Sequence, residues 1–484
     1  MTESSAFGAV DLGASSGRVF RGDLIGGRVH LEEVARFVNG PVSLPDGSHW
    51  NLAGLFEQVV RALAKAGPLH SIGVDSWGVD YSLLRRGRSD GLPFHYRDAR
   101  TGTGVTRAFD AIDPTDLYAA TGIQVMPINT VFQLLAEPEQ SLAGSRLLLI
   151  SDLVNYWLTG IAVNEVTQAS TTGLLDPHGC AWSQAVIQRL GLPPELFGDL
   201  VEPGAALGRP RAGLGLSVET VTAAAGHDTA SAFVAAPLRD ANAAILSSGT
   251  WSLLGTELPA PILSEAARHA NLSNERGVDG TTRLLRNVMG LWLEQECARA
   301  WNLEPPVLHQ LAEVASPNVP VFDPDHASLL HAGADMPERI VAAWRAAGQQ
   351  CPDPHPGVVI RSVHLSLACK YRFVLELLEE VTGRSFDRIH VIGGGARVAP
   401  LCRLTAQVTG REVVAGPVEA SALGNVLIQA RAAGAFDSLQ EIRDTVSRSL
   451  PPKFYPPDDV DSGEEHYQRF LQLTGLRPPV QTST

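Results

Sequence analysis

The stretch AVDLGASSGR, residues 9–18, ends an apolar run on a carboxylate, turns through two glycines and two serines, and closes on an arginine. Small residues let the backbone turn tightly and aim several N–H groups at one spot, a concavity that suits phosphate oxygens. Asp11 would stand near those oxygens but be held off by charge repulsion, which a magnesium ion relieves through its waters. An ordinary hairpin has the same look. LSSGTWSLLG, residues 246–255, offers a second such turn in Ser247, Ser248, Gly249 and Thr250. Two turns of this kind, one in each half, would clamp a polyphosphate in a cleft. The chain has no G-x-x-x-x-G-K-[ST], which excludes a P-loop, and no G-x-G-x-x-G opening a helix.

AAAGHDTASAF, residues 223–233, sets His227, Asp228 and Thr229 after a run of small residues. An Asp or Thr ahead of an apolar-periodic segment is an expected helix cap. It is also where a carboxylate could take the proton of a hydroxyl under attack by phosphorus. RIHVIGGGARV, residues 388–398, is a strand followed by Gly393, Gly394 and Gly395, which permit close approach of a flat or charged ligand or, equally, tight packing. Planar polar groups beside aromatics gather in DSWGVDYSLL (Asp75, Trp77, Asp80), HYRDART (Arg97–Arg100) and LRNVMGLWLEQE (Asn287, Gln295). Such a mixture suits a carbohydrate, though a core tryptophan with surface charges fits any one of them.

The elements that must position these residues follow from pattern. Short apolar runs at 72–74, 147–150, 244–247 and 389–392 predict buried strands, and helical spacing predicts helices over 52–66, 363–380 and 421–433. The alternation points to an α/β architecture. A strand-turn-strand opening, GAVDLGASSGRVF, recurs as AAILSSGTWSLLG, and each is followed later by an apolar strand ending in a Gly-containing turn. That repetition suggests two related halves. The helix opened by GPVEASALGNVLIQARAAG, residues 416–434, reads as packing against the glycine-rich turn. After residue 450 the pattern predicts an irregular connection, a closing helix and a frayed tail.

Composition sets the outer bounds. With 484 residues, two or three domains are expected. A net charge of −14 argues against a nucleic-acid surface. No run approaches a membrane span, and MTESSAFGAV lacks the basic-then-apolar plan of a signal peptide, so a cytoplasmic protein is expected. Five scattered cysteines without a C-x-x-C pair predict neither a disulfide framework nor a structural zinc site.

With VDLGASSGR, SIGVDSWGVDYSLL, LPFHYRDART, GHDTASA, LSSGTWSLLG, LRNVMGLWL, VIGGGARV and GPVEASALGNVLIQA in order, the chain resembles the FGGY carbohydrate kinases from about residue 7 to 470. Within them it is similar to the rhamnulokinase branch, marked by Ala14 and by WGVD. The resemblance implies two actin-like ATPase (ribonuclease H-like) domains flanking a catalytic cleft. The expected division is 1–237 for sugar and phosphate, 238–445 for nucleotide, and 446–484 as a terminal helix and tail.

The resemblance also implies ATP-dependent phosphorylation of L-rhamnulose at O1, with Asp228 as base. Carried over by position, Gly78, His227, Asp228, Thr229 and Asn287 contact the sugar. Ala14, Ser15, Ser16, Gly17, Arg18, Thr250, Gln295, Gly394 and Gly395 line ATP. Asp11, through water, and Asp228 face Mg2+. The expected partners are the ketose and ATP, with no nucleic acid or membrane, in a monomer or homodimer. A kinase for L-fuculose or L-xylulose remains the near alternative. An actin-like ATPase of another purpose would leave Asp228 and the sugar-facing stretches without a use, and a sensor that has lost catalysis would not need Asp11 and Asp228 intact.

Overall fold

The computed structural model describes residues 6–478, apart from 179, 240, 241, 332 and 352. The expected tail beyond 478 lies outside the described residues. Two compact units result. The first holds the chain up to Pro237 together with Glu257–Leu284 and Glu419–Ser449, and the second holds 238–256, 285–418 and the chain from 450 onward. Packing thus differs from a contiguous division at 237: two later segments return to the first unit.

In the first unit five strands run side by side in the order Val218–Val221, Leu69–Ser76, Ala6–Leu12, Ser16–Ile25, Arg28–Val38. The first strand of the chain is central, and all seven of its residues are buried. It lies antiparallel to Ser16–Ile25 and parallel to Leu69–Ser76. That register sets Asp11 opposite Arg18 on one side and opposite Asp75 on the other. Parallel strands finish at one edge of the sheet, where α/β proteins collect their ligand groups. A lone parallel bridge from Ser76 to His227 brings the GHDTAS segment to the same edge.

The second unit repeats this plan. Its five central strands run Thr282–Met289, Trp251–Leu258, Ala243–Ser248, Arg388–Ile392, Glu412–Ala415, in a sheet of seven that Ser273–Arg276 extends beyond Thr282–Met289. Numbered along the chain among themselves, the five strands of the first unit and these five both read 3-2-1-4-5. The first two of these strands straddle the division of the chain into units. Lys453–Tyr455 adds antiparallel to Glu412–Ala415, a short edge strand where the sequence reads as irregular. The predicted helices appear as Leu52–Lys65, Pro356–Thr382 and Ala420–Ala432, and the closing helix as Val460–Thr474. All five cysteines are free. Among the described residues no helix is long and apolar enough to cross a membrane.

The helix Ala420–Ala432 corrects one expectation, because it belongs to the first unit rather than to the unit holding the glycine-rich turn. Its small residues serve close approach to the helix Asp228–Val234: a Cβ on Gly424 would stand 1.8 Å from the carbonyl oxygen of Ser231. Its polar residues reach the sheet. Gln429 donates to the Gly8 carbonyl at 3.0 Å and accepts from the Ser71 hydroxyl at 2.6 Å. Gly424→Ala is therefore expected to lower unfolding stability by about 1–3 kcal/mol, read from urea midpoints. An unchanged midpoint would mean that the helix retreats from Ser231 at no cost.

Candidate active site

The site is built from the strand edge of the first unit. Asp11 is nearly fully buried, and one Arg18 nitrogen sits 2.7 Å from its Oδ2. The other end of that guanidinium pairs with Glu419. Asp75 is fully buried; its Oδ2 accepts from Asn425 Nδ2 at 2.6 Å, while its Oδ1 has no hydrogen-bond partner among the described residues. Burial pushes Asp11 up to about 6, opposed by Arg18 and reinforced by the charges of Asp228 and Glu419. Burial also raises Asp75 well above the carboxylate range, with Asp11 adding to it and Asn425 opposing. Four carboxylates thus crowd one place with Arg18 and Arg36 as the opposing cations, an excess of negative charge that suits a divalent cation.

The turn itself is tied by its neighbours. Gly13 N–H donates to the Ser16 carbonyl at 3.0 Å, and Asn39 Nδ2 donates to the Gly13 carbonyl at 2.8 Å. Gly17 is required by packing, since a Cβ there would run into the Phe37 ring at 2.1 Å. Ala14, Ser15 and Ser16 are half-buried at the turn.

Asp228 opens a short helix, Asp228–Val234, whose N-cap is His227 with no side-chain capping bond. The capping reading of Asp228 therefore falls. Its carboxylate is about one-quarter exposed and accepts from the Thr229 hydroxyl at 3.1 Å. The segment before it is pinned: Gly226 N–H donates to Glu165 Oε2 at 2.8 Å, and the Gly226 carbonyl accepts from Ser76 N–H at 2.8 Å. His227 N–H donates to the Thr167 hydroxyl at 3.2 Å. Burial lifts Glu165 to about 7 against these hydrogen bonds.

Gly78 precedes Val79, which has φ 66°, a left-handed conformation that a β-branched residue rarely adopts. Its N–H is held by the Thr171 hydroxyl at 3.1 Å and its carbonyl by the Thr130 hydroxyl at 2.6 Å. Trp77 and Asp80 are spent elsewhere. Asp80 accepts from the indoles of Trp50 and Trp77 at 2.6 and 2.9 Å, from Gln133 at 2.8 Å, and from Tyr96 N–H at 3.3 Å. Both residues are buried, so they form a structural knot and not an open sugar contact. Arg100 lies over Phe94 and pairs with Glu137 at 3.1 Å. Asp80→Ala would strand these donors and is expected to cost at least about 2 kcal/mol of stability by urea titration; a loss below half of that would contradict the knot.

The remaining expected residues are on the second unit. Thr250 Oγ1 donates to Gln295 Oε1 at 3.4 Å, so the structure brings these two together. Gly249 N–H donates to the Trp251 carbonyl at 2.8 Å, which closes the second turn. A Cβ on Gly395 would meet the Ser248 hydroxyl at 2.1 Å, so packing explains that glycine. At Gly394 the nearest atom is the Ser248 carbonyl oxygen at 3.9 Å, and packing leaves that glycine unexplained. Asn287 is half-buried on the strand Thr282–Met289.

Sequence reading missed Asn425, Glu419, Glu275 and Arg283, all of which meet the strand-edge residues from distant parts of the chain. It also missed Glu294, which accepts from His309 Nε2 at 2.8 Å and His364 Nε2 at 2.6 Å. Burial would raise Glu294, but the two imidazoles outweigh it and hold it at about 2. These contacts tie three helices together, and the three side chains present ligand atoms within 4.8 Å of one another.

Known proteins place this architecture. Models of the FGGY family of carbohydrate kinases match residues 91–235 with their N-terminal domain and 244–433 with their C-terminal domain. The rhamnulokinase of Bacteroides thetaiotaomicron is 38% identical over 96% of this chain and 98% of its own, and that of Pectobacterium carotovorum 40% over 96% of each. The chain belongs to the FGGY family of carbohydrate kinases. Solved structures share the fold: a xylulose kinase from Lactobacillus acidophilus superposes with a TM-score of 0.78 at 16% identity, covering 97% of both chains. Plasmodium falciparum glycerol kinase with ADP gives 0.78 at 14% identity, covering 98% of this chain and 99% of its own. As an FGGY carbohydrate kinase the chain is an enzyme whose family implies ATP as phosphoryl donor.

Proposed function

We propose that this kinase transfers the γ-phosphoryl group of ATP to O1 of L-rhamnulose, in the cytoplasm, as a step of L-rhamnose breakdown. The sugar is chosen from the relatives, rhamnulokinases that match nearly end to end. The observation that carries the chemistry is Asp228, a partly exposed carboxylate at an edge where Asp11 and Asp75 are buried.

Asp228 takes the proton of the O1 hydroxyl as that oxygen bonds to the γ-phosphorus; the bond from phosphorus to the bridging oxygen breaks and ADP leaves. Gly78, His227, Thr229 and Asn287 hold the ketose. Ala14, Ser15, Ser16, Gly17 and Arg18 lie along the phosphates, while Thr250, Gln295, Gly394 and Gly395 hold the rest of the nucleotide. Residues 1–237 then supply the phosphate turn and every one of these sugar contacts but Asn287, and residues 238–445 supply Asn287 and the rest of the nucleotide site.

Mg2+ fits the strand-edge residues by their charge and by the unpartnered Oδ1 of Asp75. Asp228 would face it directly and Asp11 through water, because Arg18 already occupies Asp11 Oδ2. When bound, it supplies neutralising charge to the phosphates.

The product tests the regiochemistry. Phosphorus–proton coupling in the NMR spectrum of the sugar product should connect phosphorus to the two C1 protons. Coupling to any other carbon position would overturn the assignment.

A further inference from the structure

Behind His227 lies a group that the reaction as described does not use. Arg283 has no exposed side-chain surface, and one of its terminal nitrogens, Nη2, stands 3.1 Å from Glu275 Oε2 and 3.2 Å from His227 Nδ1. Its Nε donates to the Arg276 carbonyl at 2.9 Å, which fixes the guanidinium plane. Glu275 is buried too, and its Oε2 is 3.3 Å from His227 Nδ1. On the other side of the ring, His227 Nε2 is 3.5 Å from Asp228 Oδ1.

These contacts choose a tautomer. A guanidinium donates and never accepts, so its approach to Nδ1 is attractive only if Nδ1 carries no proton. The ring proton then sits on Nε2 and faces the Asp228 carboxylate. The opposite tautomer would satisfy Glu275, but set a proton against Arg283 and leave two lone pairs facing each other at Asp228. With Nδ1 bare, the Arg283 Nη2 protons stand between that nitrogen and Glu275 Oε2 and can serve both. A ring protonated on both nitrogens, a single cation, would oppose Arg283 as well.

We propose that Arg283, held by Glu275, is a positioning residue that fixes His227 as its Nε2–H tautomer and through it orients Asp228. The Thr229 hydroxyl and His227 Nε2 then both address Oδ1, while Oδ2 has no partner among the described residues and is the atom left to take a proton. Burial alone would raise Glu275, yet its carboxyl sits below the usual value, held there first by the Arg283 charge and then by the His227 ring and the Ser273 hydroxyl. The role assigned here rests on Asp228 being the base; the tautomer does not.

Two measurements test it. In the full chain labelled with 15N-histidine, signals lost in His227→Asn should show a bare Nδ1 and a protonated Nε2 near neutral pH. A proton on Nδ1, in either a neutral or a charged ring, would overturn the proposal, and this reading needs no variant of Arg283 to fold.

In steady-state assays, Arg283→Lys and His227→Asn should each lower kcat by about tenfold or more while KM for ATP stays within about twofold. The double variant should lose no more than His227→Asn alone. Losses that multiply would mean that Arg283 acts by some other route. Should Asp228→Asn keep its turnover, the base assignment fails while the tautomer measurement stands, so the two failures are distinguishable.

Discussion

Asp228→Asn is expected to lower turnover by about a hundred- to ten-thousandfold, the range ascribed to a positioned general base. Nucleotide affinity should stay within a few-fold and the thermal midpoint should be nearly unchanged. The reasons lie in what Asp228 does not do. It makes no capping bond, and its carboxylate accepts a hydrogen bond from the adjacent Thr229 hydroxyl. Asparagine keeps that acceptor and the volume but cannot take a proton. ADP release with and without ketose, alongside ADP binding by calorimetry, separates the effects. Turnover within tenfold of the parent would remove Asp228 from its role.

Asp11→Asn is the second large effect, with opposite signs on activity and on one part of stability. Turnover should fall by at least about a hundredfold, comparable to losing one preorganised electrostatic group in a phosphoryl-transfer site. Stability follows from the raised pKa. Burial lifts the folded carboxyl from 3.8 to about 6, so the unfolded chain releases this proton first. The stability is fully present below about pH 4 and is lost as pH rises through about 6, to a limit of about 3 kcal/mol. Asparagine has no such titration. Urea unfolding at pH 4 and pH 7 should therefore show a smaller decline for the variant than for the parent. Equal declines would mean that Arg18 cancels the burial penalty.

Much of the fold was legible because its signals are local. Apolar runs such as those at 244–247 and 389–392 sit in strands whose central residues are buried on both faces, and the 363–380 spacing lies inside the long helix Pro356–Thr382. The repeat of strand-turn-strand units became two sheets that share the order of five strands. Lys453–Tyr455 escaped notice because three residues flanked by prolines carry no period.

In the candidate site, contacts between sequence neighbours such as those within GHDTAS could be read from the sequence. Pairing across the chain could not. Asn425 meets Asp75 from 350 residues away and Glu419 meets Arg18 from 401. In DSWGVD nothing local tells Asp75 from Asp80; strand register sends the first to Asp11 and the loop sends the second to two indoles. The helix 416–434 was assigned the wrong neighbour for the same reason: small residues announce close packing without saying against what.

The most direct test of the central claim is ADP release by the purified chain, with ATP and Mg2+, across L-rhamnulose, L-fuculose, L-xylulose and other ketoses. The account predicts magnesium-dependent turnover with kcat/KM highest for L-rhamnulose. A higher kcat/KM for another ketose, or ADP release indifferent to sugar, would contradict it.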